Sequence, residues 1–167
     1  MTPHAPDVRQ PPTDEAIKVW FRFVARPGWL PYDTEALWAV PVGPGTARLC
    51  NVPFLQNGAA RGDVVRYETD ADGRRWALSR EEPSGHCVIR VLPSRTGPLG
   101  PDPAAVRTEF AAYRLEGEVF SDDLPLVAFD VPPDADFAGI KSLLLAGRSD
   151  GRWQFEEGST TERWRAA

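Results

Sequence analysis

The first half of the chain alternates hydrophobic and polar positions in short runs. In Ile17-Lys18-Val19-Trp20-Phe21-Arg22-Phe23, the residues Lys18, Trp20 and Arg22 fall on one side and Val19, Phe21 and Phe23 on the other. This two-residue period is that of a half-buried strand. Ala36–Val40 and Ala47–Val52 read as two more strands, joined as a hairpin through Gly43-Pro44-Gly45. Asp63–Glu68 and Arg75–Ser79 flank Asp70-Ala71-Asp72-Gly73, whose Asp-Gly step suits the positive backbone angles of a tight turn. Five short strands in about 65 residues predict a small barrel or strongly curved sheet over residues 17–84. Ahead of it, Met1 to Glu15 holds Pro3, Pro6, Pro11 and Pro12 and only one branched apolar residue, Val8, so residues 1–16 are expected to be a disordered tail.

The rhythm changes after Ser84. A strand over His86–Leu92 precedes a Gly/Pro-rich loop and a helix over Asp102–Tyr113, then strands over Gly117–Phe120 and Leu126–Val131, a helix over Ala135–Ala146 and a strand over Trp153–Glu157. Asp102-Pro103 marks one helix start, and Asp134 or Asp136 the other, ahead of an apolar stripe of Phe137, Ile140, Leu143 and Leu144. Gly147 is expected to close the second helix. The order β-α-β-β-α-β is the split pattern of ferredoxin-like folds, with both helices on one face of a four-stranded antiparallel sheet and the other face left open. The fold class is therefore α+β: a barrel-like N-terminal half over 17–84, a ferredoxin-like C-terminal half over 85–160, and a short C-terminal tail over 161–167.

Composition narrows the classes of function. With 42% hydrophobic residues in 167, the chain can bury a core. Its apolar runs fall short of the ~20 residues of a membrane helix, and Met1 to Ala16 lacks the layout of a secretory signal, so a cytoplasmic protein is expected. Cys50 and Cys87 each sit in an apolar strand-like run, the setting of a buried thiol more than of a disulfide. The formal charge is −5, with 9 basic against 8 acidic residues over 17–84 and 9 against 13 over 85–167. Phosphate binding needs an excess of cations, so this balance argues against a general nucleic-acid binder. Trp20, Trp29 and Trp38 with Arg22, Arg48 and Arg66 could form a base-stacking platform, but tryptophans filling a small β core is the preferred account.

Candidate chemistry gathers around the first strand of the second half. Alternation turns Cys87, Ile89 and Val91 toward the helices and leaves His86, Val88, Arg90 and Leu92 on the open face. The last strand of this topology lies beside the first, which brings Gln154 and Glu156 near Arg90 and His86. With Ser84 they form the densest polar group in the chain. As a catalytic set, Ser84 would be the nucleophile, His86 the general base, Glu156 its orienter and Arg90 an anion clamp, in a pocket between the halves. Arg90, Asn51 and Gln154 are the ligand-binding candidates. The plainer account, a capping His86 and a cross-strand Arg90–Glu156 ion pair, carries more weight because a lone Ser and His lack a known third partner. Glu156 and Glu157 are adjacent on a strand and point to opposite faces, so they share no site. No metal is expected, since the only other histidine is His4 and no Cys-x-x-Cys or His-x-x-x-His spacing occurs. No glycine-rich phosphate loop is present, and no cofactor is expected.

These residues resemble a bacterial domain-of-unknown-function family, number 4265. The resemblance rests on Val19-Trp20-Phe21-Arg22-Phe23, Glu35-Ala36-Leu37-Trp38-Ala39, Asn51-Val52-Pro53-Phe54, Gly62-Asp63-Val64-Val65, Ser84-Gly85-His86 with Ile89-Arg90-Val91, Val127 to Pro132, and Trp153 to Glu157. The chain departs at Cys87-Val88, where the family more often has Ser-Thr, and at Leu55, where it has a second Phe. The resemblance implies a shared fold and no activity to inherit. The preferred expectation is a non-catalytic binding or regulatory protein of immunity or inhibitor type, whose partner is a protein more than a small molecule. The alternative is a small hydrolase or transferase built on Ser84, His86, Arg90 and Glu156. Oligomeric state is not legible.

Overall fold

Five strands follow one another as an antiparallel meander: β1 (Ile17–Arg22), β2 (Thr34–Gly43), β3 (Thr46–Leu49), β4 (Val64–Thr69) and β5 (Arg75–Glu82). The structure is a computed structural model, described for residues 4, 5 and 9–167. The strands close into a barrel through a parallel pairing of β1 with β5 at Val19↔Arg75 and Trp20↔Trp76. Inward-pointing residues make its core: Val19 and Phe21 from β1, Leu37 and Ala39 from β2, Ala47 and Leu49 from β3, Val65 from β4. The β4–β5 turn forms because the Asp70 carboxylate accepts the backbone N–H groups of Asp72 and Arg74 at 3.0 and 2.9 Å, with Gly73 at φ +80°. Asp70 also accepts the Trp76 indole N–H at 2.7 Å, and these hydrogen bonds, the indole's foremost, hold its carboxyl below the usual carboxylate range.

Two buried acids fix the loops. Glu35 accepts the backbone N–H groups of Phe54, Leu55 and Gln56 at 2.7, 2.9 and 2.9 Å, satisfying a stretch of chain that has no ladder partner. Asp63 accepts from the Ala60 N–H at 2.9 Å and the Ser84 N–H at 2.7 Å. The expected N-terminal tail is anchored at the residues described there. Ala5 is buried and donates its N–H to the Thr34 carbonyl at 3.0 Å. Arg9 donates to the Val52 carbonyl at 2.8 Å, and its own carbonyl accepts the Trp38 indole N–H at 3.0 Å. Of the expected tail, residues 1–3 and 6–8 lie outside the described residues.

Chain contacts separate two units, Met1–Ser84 and Gly85–Ala167. The second runs β6 (Cys87–Pro93), α1 (Pro103–Glu109), a 3₁₀ turn (Ala111–Tyr113), β7 (Glu116–Val119), β8 (Val127–Val131), α2 (Phe137–Ser149), β9 (Trp153–Ser159) and α3 (Glu162–Ala166). Its sheet has the order β7-β8-β6-β9, every pair antiparallel. Side chains from both longer helices meet one face of that sheet: Val106 and Phe110 from α1 and Phe137, Ile140 and Leu144 from α2, against Cys87, Ile89, Val91, Phe129 and Trp153. Asp102 and Asp136 cap the helices, accepting from the N–H groups of Ala104 and Gly139 at 2.9 and 3.0 Å.

Three expectations are corrected. Gly147 does not end α2, which continues to Ser149 with Gly151 beyond it at φ +81°. A Cβ at Gly147 would overlap the Trp153 indole, so this glycine serves close packing instead of termination. The segment over 161–167 is no tail: α3 carries Trp164, fully buried against Phe137 with ring centroids 5.4 Å apart, its indole N–H donated to Glu157 at 2.9 Å. The sheet face away from the helices is not open at its centre, since Val88, Arg90, Ala128 and Asp130 are all buried. Among the described residues no helix is long and apolar enough to cross a membrane.

Truncating Trp164 to Ala should remove a core member and lower unfolding stability by about 3–5 kcal/mol, as large-to-small core changes of aromatics do. Urea denaturation followed by tryptophan-independent circular dichroism would measure it. An effect within 1 kcal/mol, roughly the size of a surface substitution, would mean that α3 is not part of the core.

Candidate functional site

The histidine stands at the mouth of β6, after Gly85 at φ +84°, where an L side chain would be strained. Its Nδ1 lies 2.7 Å from Asp130 Oδ1, with side-chain exposures of 25% and 7%. Asp130 reaches it because β6 and β8 pair antiparallel with Val88 opposite Asp130. In a strand reading Val-Ala-Phe-Asp-Val, Asp130 lies out of phase with the apolar Val127, Phe129 and Val131. Strand order and alternation pointed to Glu156 as the orienting carboxylate. The structure brings Asp130 to hydrogen-bond distance of His86, and its signal in the sequence was a lone acid on the helix-free phase of an otherwise apolar strand.

Four residues beyond His86, on β6, Arg90 has a fully buried side chain and donates from Nη1 to Glu156 Oε1 at 3.0 Å. These residues are directly opposite in the β6–β9 register. A register shift at Val88/Ile89 and the absence of a side chain at Gly158 make room for the guanidinium, which a Cβ there would meet at 2.7 Å. Glu156 and Glu157 do point apart, the first to Arg90 and the second to Trp164. Gln154, opposite Leu92, is exposed.

Ser84 belongs to the other unit. Its hydroxyl donates its single proton to the Arg61 carbonyl at 2.7 Å, and its N–H goes to Asp63. That geometry fastens the end of the barrel chain and does not direct the hydroxyl proton at a base. Asn51 uses its side-chain oxygen to accept the Trp38 backbone N–H at 2.8 Å. Lys18 Nζ lies 4.9 Å from the Trp38 ring centroid, and the Arg74 guanidinium 5.0 Å from that of Trp20. Arg48 donates to the Gly62 carbonyl at 3.1 Å, and Arg66 pairs with Glu81 at 2.8 Å. Trp29 is in a loop, partly exposed.

Both cysteines are free thiols. Cys87 is buried as expected, while Cys50, just beyond β3, is half-buried. Burial pushes both thiols up from their ordinary value, against a hydrogen bond with Thr161 at Cys87 and the Arg61 charge at Cys50. Among the described residues there is no group of three or more His, Cys, Asp or Glu side chains that could hold a metal ion.

Over residues 35–155 the chain matches the family described as a domain of unknown function, DUF4265. It belongs to that family. The DUF4265 match takes in Asn51, Ser84, His86, Arg90, Asp130 and Gln154 and stops one residue before Glu156. The DUF4265 chain is also similar to a solved structure, a hypothetical protein from Neisseria gonorrhoeae, with a TM-score of 0.69 at 14% identity. That similarity covers 85% of this chain and 93% of the other, and it shows a shared fold. No curated protein matches this sequence.

Glu156→Ala would leave the Arg90 guanidinium without one of its charge partners inside the unit. A loss of about 2 kcal/mol is expected, in the range for a hydrogen bond to a charged group. Arg90→Met combined with Glu156→Leu should recover most of it, and a chemical-denaturation cycle of the four proteins measures both. Thiol labelling offers a second check. Iodoacetamide should modify Cys50 slowly and spare Cys87 until the protein unfolds, with the Cys50 rate still climbing above pH ~9 because its thiolate forms late. Rapid modification of Cys87 in the native state would contradict its burial.

Proposed function

We propose that this DUF4265 protein is a non-catalytic binding or regulatory protein, of immunity or inhibitor type, whose partner is another protein in the cytoplasm. The observation that supports this most is how the polar groups are spent. Arg90, needed as an anion clamp by any hydrolase or transferase built here, has no exposed side-chain surface and is held by Glu156. One Glu156 oxygen is taken by that guanidinium, and the Ser84 proton goes to a backbone carbonyl. A nucleophile requires a base in hydrogen-bond reach of its proton, and a clamp must be reachable by substrate. The His86–Asp130 pair supports a structural role equally well, since it ties the entry of β6 to its neighbour β8.

Two finer features accompany the reading. The second unit is ferredoxin-like in our view, supported by the antiparallel order β7-β8-β6-β9 and by helices that share one core. Two free thiols in a chain with no disulfide suit a reducing compartment.

The experiment has two arms. Chromogenic carboxylic and phosphate esters should be turned over no faster with the protein than without it. Turnover that disappears in both Ser84→Ala and His86→Ala would replace the binding reading with the catalytic one. Affinity capture from the protein's own cells should return a partner that rebinds saturably when purified, by titration calorimetry. Repeated capture with no such partner removes the proposal.

A further inference from the structure

β5 is laddered to β4 from Thr69↔Arg75 to Val64↔Glu82, but its other neighbour, β1, leaves early. β1 stays with β2 as far as Arg22↔Thr34 and meets β5 only at Val19 and Trp20. Beyond Trp76, β5 therefore has one ladder partner among the described residues, and its backbone on the other side lines a split in the barrel wall. In that split lies a cleft of about 220 Å³. Its floor is apolar, formed by Phe21, Ala59, Val65 and Ala77, and its polar wall includes Arg22 and Arg80. No acidic residue lines it.

The edge departs from a plainly protected one. Sheet edges are usually guarded by charges and bulges. β5 has bulges, at Leu78 between Tyr67↔Ala77 and Arg66↔Ser79, and at Glu81 between Val65↔Arg80 and Val64↔Glu82. The first of them turns a large apolar side chain outward: Leu78 is 53% exposed, on the lip of the cleft. Of the nearby acids, Glu82 is exposed at the end of β5, outside the lining of the cleft. Glu81 is taken up by Arg66 and by the Ser79 hydroxyl, at 2.8 and 2.9 Å, and these contacts hold its carboxyl below the usual range. Arg80 keeps only a long 3.5 Å contact with buried Asp63 and is 41% exposed, while the Arg22 guanidinium carbon lies 3.7 Å from the Trp76 ring centroid. An apolar slot flanked by two guanidinium groups and an unladdered strand edge is the set of features by which a sheet captures an extended peptide: main-chain bonds supply affinity, and side-chain pockets and charges supply specificity.

We propose that the β5 edge from Ala77 to Arg80 is the docking site for an extended acidic segment of a protein partner. The segment adds as a strand beside β5, sets an apolar side chain against Phe21, Ala77 and Leu78, and places carboxylates against Arg22 and Arg80. This inference rests on the protein-binding reading and gives it a place and a partner chemistry.

The probes are acetylated, amidated pentapeptides in which aspartate alternates with valine or leucine, with lysine-substituted counterparts as controls. They are titrated into the ¹⁵N-labelled full chain. The acidic peptides should shift the amide signals of Phe21, Arg22, Ala77, Leu78, Ser79 and Arg80, and the lysine peptides should not. Arg80→Glu should weaken binding roughly tenfold or more, in keeping with a charge reversed at an interface. Leu78→Glu should do the same, and this exposed substitution should leave the remaining amide spectrum unchanged. Absence of shifts for every acidic peptide up to millimolar concentration, or shifts centred on the second unit, overturns the inference. So does concentration-dependent dimerisation that Leu78→Glu abolishes, which would make the occupant a second copy. The parent reading fails separately: a captured partner that binds wild type and Leu78→Glu equally well sinks the groove and leaves protein binding intact, whereas no partner at all sinks protein binding itself.

Discussion

An odd number of strands in an antiparallel meander can close on itself only by pairing the first and last strands in parallel. The five-stranded unit obeys this, and its closing seam is the two-residue pairing of Val19–Trp20 with Arg75–Trp76. Parallel pairing is somewhat weaker per residue, and a seam so short holds one end of the barrel while the other parts. Phe21 and Arg22 follow β2, and Ala77 onward follows β4. The split follows from strand count and curvature, with no special sequence required. What the sequence adds is the lining. On the closed side, the seam is reinforced from outside by Trp20 and Trp76, whose ring centroids are 6.2 Å apart and which carry Arg74 and Arg22 on their faces. Such cation–aromatic contacts are worth about 0.5–1 kcal/mol each at exposed positions, comparable with a ladder pair the seam lacks.

The buried charges of this protein do the work that helix caps and ladders do elsewhere. Glu35 collects three backbone N–H groups of a loop that has no strand to pair with, Asp63 two more, and Arg90 meets Glu156 across a sheet. Each charge is held by partners placed by the chain's path, so each makes that path specific: a carboxylate left without its N–H donors would cost more than the bonds contribute. The His86–Asp130 contact belongs to the same set. A chain rich in short strands and long connections has many backbone groups to satisfy, and acids in strand positions are an economical way of doing so.

Strand positions were legible because a two-residue period is a local signal. Both helix caps, Asp102 and Asp136, and the Asp70–Gly73 turn were legible for the same reason, since a side chain reaches backbone only a few residues away. What escaped was set at a distance. Trp164 looks like part of a polar tail until β9 and α2 are in place to receive it, and Gly147 looks like a helix stop until Trp153 is known to press on it. Asp130 escaped because its partner lies 44 residues away. The burial of Arg90 was illegible too: alternation assigns a residue to a face but not what covers that face. At the groove, neither the bulge at Leu78 nor the early departure of β1 leaves any mark in the hydrophobic pattern, since both concern register between strands.

A strand edge that is open enough to bind is open enough to aggregate, and the β5 edge shows how the two demands are met together. Bulges at Leu78 and Glu81 break the flat repeat that a growing stack of strands needs, so a long, regular partner cannot lie along the whole edge. Guanidinium groups at Arg22 and Arg80 repel a second copy presenting the same face and favour a segment of opposite sign. On the proposed reading, Leu78 would add affinity only for a partner short enough, irregular enough and acidic enough to have passed both filters. The apolar side chain left in water is tolerable because its surroundings select who can cover it.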